Sequence, residues 1–495
     1  MRKFILLISI MALACLPVLL ACIDKRSGDD SGGNAGSLDI SATPGPGLAD
    51  DAEASESDDL DDLDDLGEHD FGGADFTFTS WRFGSCRNEF AFEEETGDLI
   101  NDSIYKRNRT VENRFNLNIR DIEYQDQDGS VRKNILSGTT AFDCANVRCT
   151  EAFVFWCDGL LIPTEEILYL NFAKSYWSQS INKSISINNT NYVAVGALDI
   201  STYEQTFALL FNKKLVETYA LENPYELVTS GKWTFDKMND LMKRVLNNLD
   251  IDGKQTDDGI YGYMAHIKHA MPGFWIGAGE IIIKKDENDA PYLSMSSERF
   301  LSVFNKIFEI TWDNNAWYRN TENALLNIPA KNMAKFINDQ SLFMDTSFHF
   351  IQDLRGMDTD FGILPYPKFD EGQANYSTRL SYYYPLIVPS TCSSEDLEKI
   401  GIMLEVLNSE SAKTVVPVYY DTALKNKYAR DEESVEMIDL IFASRVCDLA
   451  DSTFCELIRD GFIAGMFAAN NRNIVSKIES TELIISSRLE NIPNK

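Results

Sequence analysis

The chain has 495 residues and a formal net charge of -32, with 45 Lys and Arg against 77 Asp and Glu. So acidic a chain disfavours nucleic-acid binding, which depends on neutralising phosphates with basic side chains. Once a leader and an acidic stretch are set aside, roughly 420 residues remain to fold, more than one hydrophobic core usually supports, and two domains are expected.

The amino terminus opens with Arg2 and Lys3, runs apolar from Phe4 to Val18 and closes on Leu19, Leu20, Ala21 and Cys22. This is the charged, apolar and small-residue order of a signal peptide over residues 1–21, too short for a membrane-spanning anchor. The closing tetrapeptide resembles a bacterial lipobox, which implies that Cys22 becomes a lipidated first residue, held to the membrane by acyl chains such as palmitate. An ordinary signal peptide with a chance cysteine is the alternative. Residues 22–74 are rich in Gly, Ser, Ala and Asp, with Asp58, Asp59, Asp61, Asp62, Asp64 and Asp65 in one block. That composition cannot build a core and reads as a self-repelling disordered tether. Beyond Cys15 and Cys22 the cysteines are an odd seven: Cys86, Cys144, Cys149, Cys157, Cys392, Cys447 and Cys455. Most read as buried thiols, with Cys447–Cys455 or Cys144–Cys149 as candidate disulfides.

Phe76 to Trp81 alternates apolar and polar residues as a first strand. A helix from about Asp98 to Phe115, a strand over Leu117–Tyr124, a second helix and a short strand within Ala141–Val147 follow. Strand, helix, strand, helix, strand favours a parallel or mixed sheet under helices. Further strands are expected at Asn191–Gly196 and Thr206–Phe211, then a helix from Lys213 to Tyr219. Thr234 caps a helix with Phe235, Met238, Leu241, Met242 and Val245 on one face. Asp360–Leu364 reads as a strand ended by Pro365 and Pro367, and Tyr382–Val388 as a return segment. The last third reads as mostly helical, over Glu395–Leu407, Glu432–Phe442 and on to about Leu489.

Four ordered segments resemble the extracellular solute-binding proteins of ABC importers, in the large carbohydrate-associated class called family 1. They are Leu210–Glu217 (LFNKKLVE), Gly231–Asp236 (GKWTFD), Gly259–Tyr263 (GIYGY) and Phe361–Lys368 (FGILPYPK). The resemblance implies an α/β, two-lobed periplasmic-binding-protein-like fold of type II, its discontinuous lobes joined by a hinge. Lobe one is expected at 75–198 plus 384–445, and lobe two at 203–380 plus 446–490. It further implies a monomeric binding protein without catalysis, outside the cytoplasm, that delivers an oligosaccharide to permease subunits. A surface glycoside-active enzyme and a carbohydrate-binding adhesin or sensor are the competing readings.

A sugar site needs flat aromatic platforms beside polar side chains that exchange hydrogen bonds with hydroxyls. Trp81 ends the first strand, where α/β sheets place ligands. Asp143 follows Phe142 in the third strand-like segment, with Arg148 and Glu151 close by; a salt bridge among them is the plainer reading. Tyr203 and Glu204 sit just past the first crossing between lobes, beside Gln205. Trp275 lies in a glycine-rich stretch expected to be a loop, Asp345 follows the apolar Leu342, Phe343 and Met344, where the resemblance implies a strand that delivers a residue to the cleft, and Tyr382, Tyr383 and Tyr384 stand at the second crossing. Alternation there sends neighbours to opposite sides, so at least one of the three should face the ligand, with Tyr382 and Tyr384 as the candidates and core packing as the alternative. Asn248, Asp250 and Asp252 with Gly253 match the opening of a Ca2+ loop, but Gly259 occupies the place of its bidentate Glu, and a plain turn is the alternative. His266 and His269 could share a helix face, without a third zinc ligand.

Overall fold

The computed structural model describes residues 64–82, 90–139, 141–319, 330–354, 356–421 and 430–490. Cys22, most of the acidic stretch and Cys86 lie outside them. The first strand, β1 (Ala74–Ser80), buries Phe76 and Phe78 completely, as its alternation requires. The helix Leu99–Phe115 follows, its amino end held by Asp98, whose side chain accepts from the N–H groups of Ile100 and Asn101. Asn116, in the left-handed region at φ 50°, ends it and turns the chain into β2 (Leu117–Glu123). After the helix Gln127–Leu136 comes β3 (Cys144–Asn146). Both β2 and β3 pair in parallel with β1, with Phe76 opposite Ile119 and Phe78 opposite Cys144.

The chain then builds a second sheet from β4 (Phe207–Asn212), β5 (Asn247–Leu249) and β6 (Gln255–Met264). A small hairpin, β7 (Ile283–Lys285) with β8 (Pro291–Leu293), precedes β9 (Ser341–Ser347) and β10 (Phe361–Leu364). The second sheet has the order β10-β4-β9-β6-β5. Its β4 is apolar except at its end and buried throughout, because both faces are covered: Phe207, Leu209 and Phe211 enter one cluster, Ala208 and Leu210 another. The chain next lays down β11 (Thr378–Leu380) and returns to the first sheet as β12 (Leu386–Ile387), giving the order β12-β3-β1-β2 there. Finally β13 (Arg445–Cys447) pairs in parallel with β11.

Two segments that carry the family resemblance bind each other. Lys368 N–H donates to Trp233 C=O, Phe235 N–H donates to Lys368 C=O, and the buried Trp233 indole donates to Pro365 C=O at 2.9 Å. Thr234 caps the helix Phe235–Val245, whose Phe235, Met238, Leu241, Met242 and Val245 are all buried.

Several expectations change. Asn191–Gly196 forms no continuous strand, only isolated bridges of Ala194 to Leu386 and Gly196 to Trp177; between them Val195 N–H and C=O bond to the Asn182 side-chain amide, both at 2.8 Å. The glycine-rich stretch around Trp275 is a short helix, Pro272–Gly277. Gly273 and Gly277 let it close on Tyr366, whose ring would meet a Cβ at Gly273 within 2.0 Å. The helix Glu432–Ala443, expected in lobe one, packs instead on β10: Ile438, Ile441 and Phe442 share a cluster with Phe361 and Ile363. Residues 64–73 are docked, although composition assigned them to the tether. Arg114 grips Asp64 bidentately at 2.6 and 2.7 Å, Leu66 is buried, and Phe71 N–H donates to Phe115 C=O. The six cysteines among the described residues are free thiols, so neither candidate disulfide forms.

Candidate functional site

Because β1, β2 and β3 run in parallel, their carboxyl ends meet at one edge, and β12 brings Tyr382–Pro385 to the same edge. Asn146, fully buried at the end of β3, fastens the two together. Its side-chain oxygen accepts from Trp81 N–H at 3.3 Å, and its side-chain nitrogen donates to Tyr384 C=O. Gln127 holds the Asn146 carbonyl at 2.9 Å.

The result is a half-buried aromatic group. Trp81 and Tyr384 stack, with ring centroids 5.4 Å apart and planes 29° from parallel, and Tyr382 meets Tyr384 edge-on at 5.6 Å. Tyr383 points the other way and is fully buried, as alternation along an extended segment demands. The Tyr382 hydroxyl lies 3.1 Å from Thr150 Oγ1, and burial pushes its pKa well up, keeping it a neutral hydrogen-bonding group.

Arg148 stands over the Trp81 ring, 5.8 Å from its centroid. Three carboxylates surround it: Asp128 at 2.5 Å, Glu151 at 3.0 Å and Glu456 at 3.9 Å. Burial pulls the guanidinium pKa down, but the bond to Asp128 and the neighbouring charges carry it upward, so Arg148 stays charged. Burial raises the carboxyl pKa of both Asp128 and Glu151, against the pull of Arg148. Arg82, next to Trp81, pairs with Asp121 at 3.1 Å and Glu123 at 3.9 Å. The edge offers flat ring faces, a phenol, and carboxylates on a rigid frame: a surface for binding polyhydroxylated rings.

Of the sequence candidates, Trp81, Tyr382 and Tyr384 converge here together with Arg148 and Glu151. Asp143 does not. It lies at the other end of β3, accepts from Thr77 N–H at 2.7 Å and pairs with Lys399 at 2.8 Å. Tyr203 packs on Tyr419 and Phe442 beneath Arg445, and Glu204 sits 3.6 Å from His349. Trp275 is a core residue, 1 % exposed, whose indole donates to Asp448 at 3.2 Å. Asp345 is buried against the Tyr366 hydroxyl, and desolvation raises its pKa well above the carboxylate range. Neither of these two reaches a surface on which a solute could rest.

The calcium-like stretch is a hairpin turn between β5 and β6. Asp250 accepts from its own neighbours Asp252 N–H and Lys254 N–H, and the Asn248 amide donates inward to Asn315 C=O at 2.7 Å. Among the described residues no group of three His, Cys, Asp or Glu is placed to hold a metal. His266 and His269 are both buried, and His269 Nδ1 faces Arg379 at 3.0 Å. Asn146, Asp128 and Glu456 were missed. A polar residue closing a buried strand could have flagged Asn146; Glu456 carries no local signal, since only tertiary folding brings it to Arg148.

No family model matches the chain, and no curated protein matches it. Among solved structures, it is similar to the cyclic alpha-maltosyl-1,6-maltose binding protein from Arthrobacter globiformis: 11% identity, 85% of this chain and 100% of that one covered, TM-score 0.56. It is also similar to the GacH receptor of Streptomyces glaucescens GLA.O, solved unliganded and with acarbose and an acarbose homolog (13% identity, 85% and 100% covered, TM-score 0.53). A third is a cyclo/maltodextrin-binding protein complexed with maltotetraose (12% identity, 84% and 96% covered, TM-score 0.52). At such identities the likeness is one of fold: mixed α/β, two-lobed, of the type II periplasmic-binding-protein kind.

Proposed function

We propose that this chain is a lipid-anchored, extracytoplasmic solute-binding protein that captures a carbohydrate between two lobes and delivers it to the permease of an ABC importer. Lobe one is built on the first sheet and lobe two on the second, with the Glu432–Ala443 helix in lobe two. The observation that carries the reading is the half-buried Trp81–Tyr384–Tyr382 group, set where the chain crosses between the sheets. Rings of this kind bind the apolar faces of sugars while carboxylates take the hydroxyls. The fold supports it, since the solved structures it resembles are of binding proteins rather than enzymes.

Membrane attachment is assigned to Cys22 on the strength of the Leu19–Cys22 tetrapeptide. Among the described residues no helix is long and apolar enough to cross a membrane. Closure would be a rigid-body motion about the crossing segments.

Titration calorimetry of the purified chain against neutral oligosaccharides tests capture: saturable binding to at least one is expected, and binding to none overturns it. Labelled palmitate should enter the wild-type chain in cells and not the Cys22→Ala variant. Release of reducing sugar from oligosaccharides by the pure protein would replace the transport reading with an enzymatic one.

A further inference from the structure

Among the described residues, the two arginines at the aromatic edge, Arg82 and Arg148, are already engaged, and each is outnumbered by the acids that engage it. All three guanidinium nitrogens of Arg148 face carboxylates, those of Asp128, Glu151 and Glu456, and Arg82 faces Asp121 and Glu123. Two positive charges therefore sit among five carboxylates. The excess is accessible from solvent: the Glu456 side chain is 69% exposed, that of Glu123 56%, and that of Glu151 28%.

A carboxylate-bearing sugar would meet repulsion here and find, among the described residues, no guanidinium without a partner, and taking Arg148 from Asp128 would strand a largely buried carboxylate. An ammonium group meets the opposite situation. It gains from the carboxylates at short range; the Trp81 ring already carries the Arg148 guanidinium and adds no further attraction for a cation.

Resting on the proposed capture of carbohydrate, we infer that this site selects saccharides by charge, preferring amino sugars to neutral sugars and rejecting uronic acids. The carboxylates of Glu151 and Glu456 receive the ammonium, and the ring faces receive the body of the sugar. Charge, more than hydroxyl pattern, then separates ligands of equal length.

The test is calorimetric titration of the full chain, in low-salt, mildly acidic buffer, with three trimers: glucosamine, a neutral glucan and galacturonic acid. The glucosamine trimer should bind at least roughly tenfold tighter than the glucan, and the galacturonic trimer more weakly than either. The preference should shrink as salt screens the exposed carboxylates. The Glu456→Gln and Glu151→Gln variants, both at surface-accessible positions, should each cut the glucosamine-to-glucan affinity ratio by at least roughly threefold. Glucan binding equal to or tighter than glucosamine binding overturns the inference and leaves carbohydrate capture standing, as does galacturonic binding as tight as the glucan's. Binding of none of the three overturns the inference, and carbohydrate capture falls with it only if the neutral oligosaccharides of the capture test also fail to bind.

Discussion

Trp81 and Tyr384 stack at 5.4 Å although one directly follows β1 and the other precedes β12. Nothing local brings them together; the parallel sheet does, with Asn146 bonded to the backbone of both. The platform is therefore a product of topology, and its two halves should behave as one unit.

Replacing either ring should weaken oligosaccharide binding. Trp81→Ala and Tyr384→Ala are each expected to cost about 1–2 kcal/mol of affinity, roughly tenfold. The double variant should lose less than the sum, because each ring positions the other. Calorimetry on the three variants measures the coupling; strict additivity would show that the rings act apart.

Asn146→Ala removes a fully buried side chain and leaves Trp81 N–H and Tyr384 C=O without their partner. A loss of about 2–3 kcal/mol of folding stability is expected, read from a denaturant titration. An unchanged midpoint would mean that the edge does not depend on this clasp.

Arg379 and Asp451 are both fully buried and bonded at 2.6 and 2.9 Å, with Arg459 bonded to the same carboxylate at 3.0 Å and the Phe207 ring beneath Arg379. Asp451→Ala would leave two buried guanidinium groups around a lost anion. Destabilisation of about 3–5 kcal/mol, or failure to accumulate folded protein, is the expected outcome. Asp451→Asn, which keeps the volume and one acceptor, should fall between that variant and the wild type.

Burial pushes the Asp448 carboxyl up to about 6, although the N–H groups of Ile282, Ile283 and Ala450 and the Trp275 indole point at it. A raised folded pKa means that the folded state holds this proton where the unfolded chain has released it. The contribution to stability is thus complete below the ordinary carboxylate pKa of 3.8 and is lost as pH rises through about 6. Melting curves from about pH 4 to pH 7 should show a downward slope that is shallower in Asp448→Asn. Equal slopes in the two proteins would assign the pH dependence elsewhere.

The elements with strong period or capping were legible in the sequence. The first strand, the Asp98-capped helix and the Thr234-capped helix all stand within a residue or two of where pattern placed them. Asn191–Gly196 misled because an extended apolar run looks the same whether a strand or an asparagine side chain satisfies its backbone. Trp275 misled because glycines beside a tryptophan suggest an open loop, whereas here they admit Tyr366 against a helix. That Tyr382 and Tyr384 share one side and Tyr383 takes the other was readable from alternation. The acids that claim Arg148 were only partly readable: Glu151 is three residues away on the same helix, while Asp128 and Glu456 arrive from separate parts of the fold.

The docking of residues 64–73 has a mechanical sequel. With Asp64 clasped by Arg114 and Phe71 laid against the end of the first helix, tension arriving along the chain from its amino-terminal side enters through the first sheet and its flanking helix. If the two sheets are the jaws of a clamp, the leash is tied to the jaw that carries Trp81. The other jaw is then free to swing, and closing on a solute does no work against the leash.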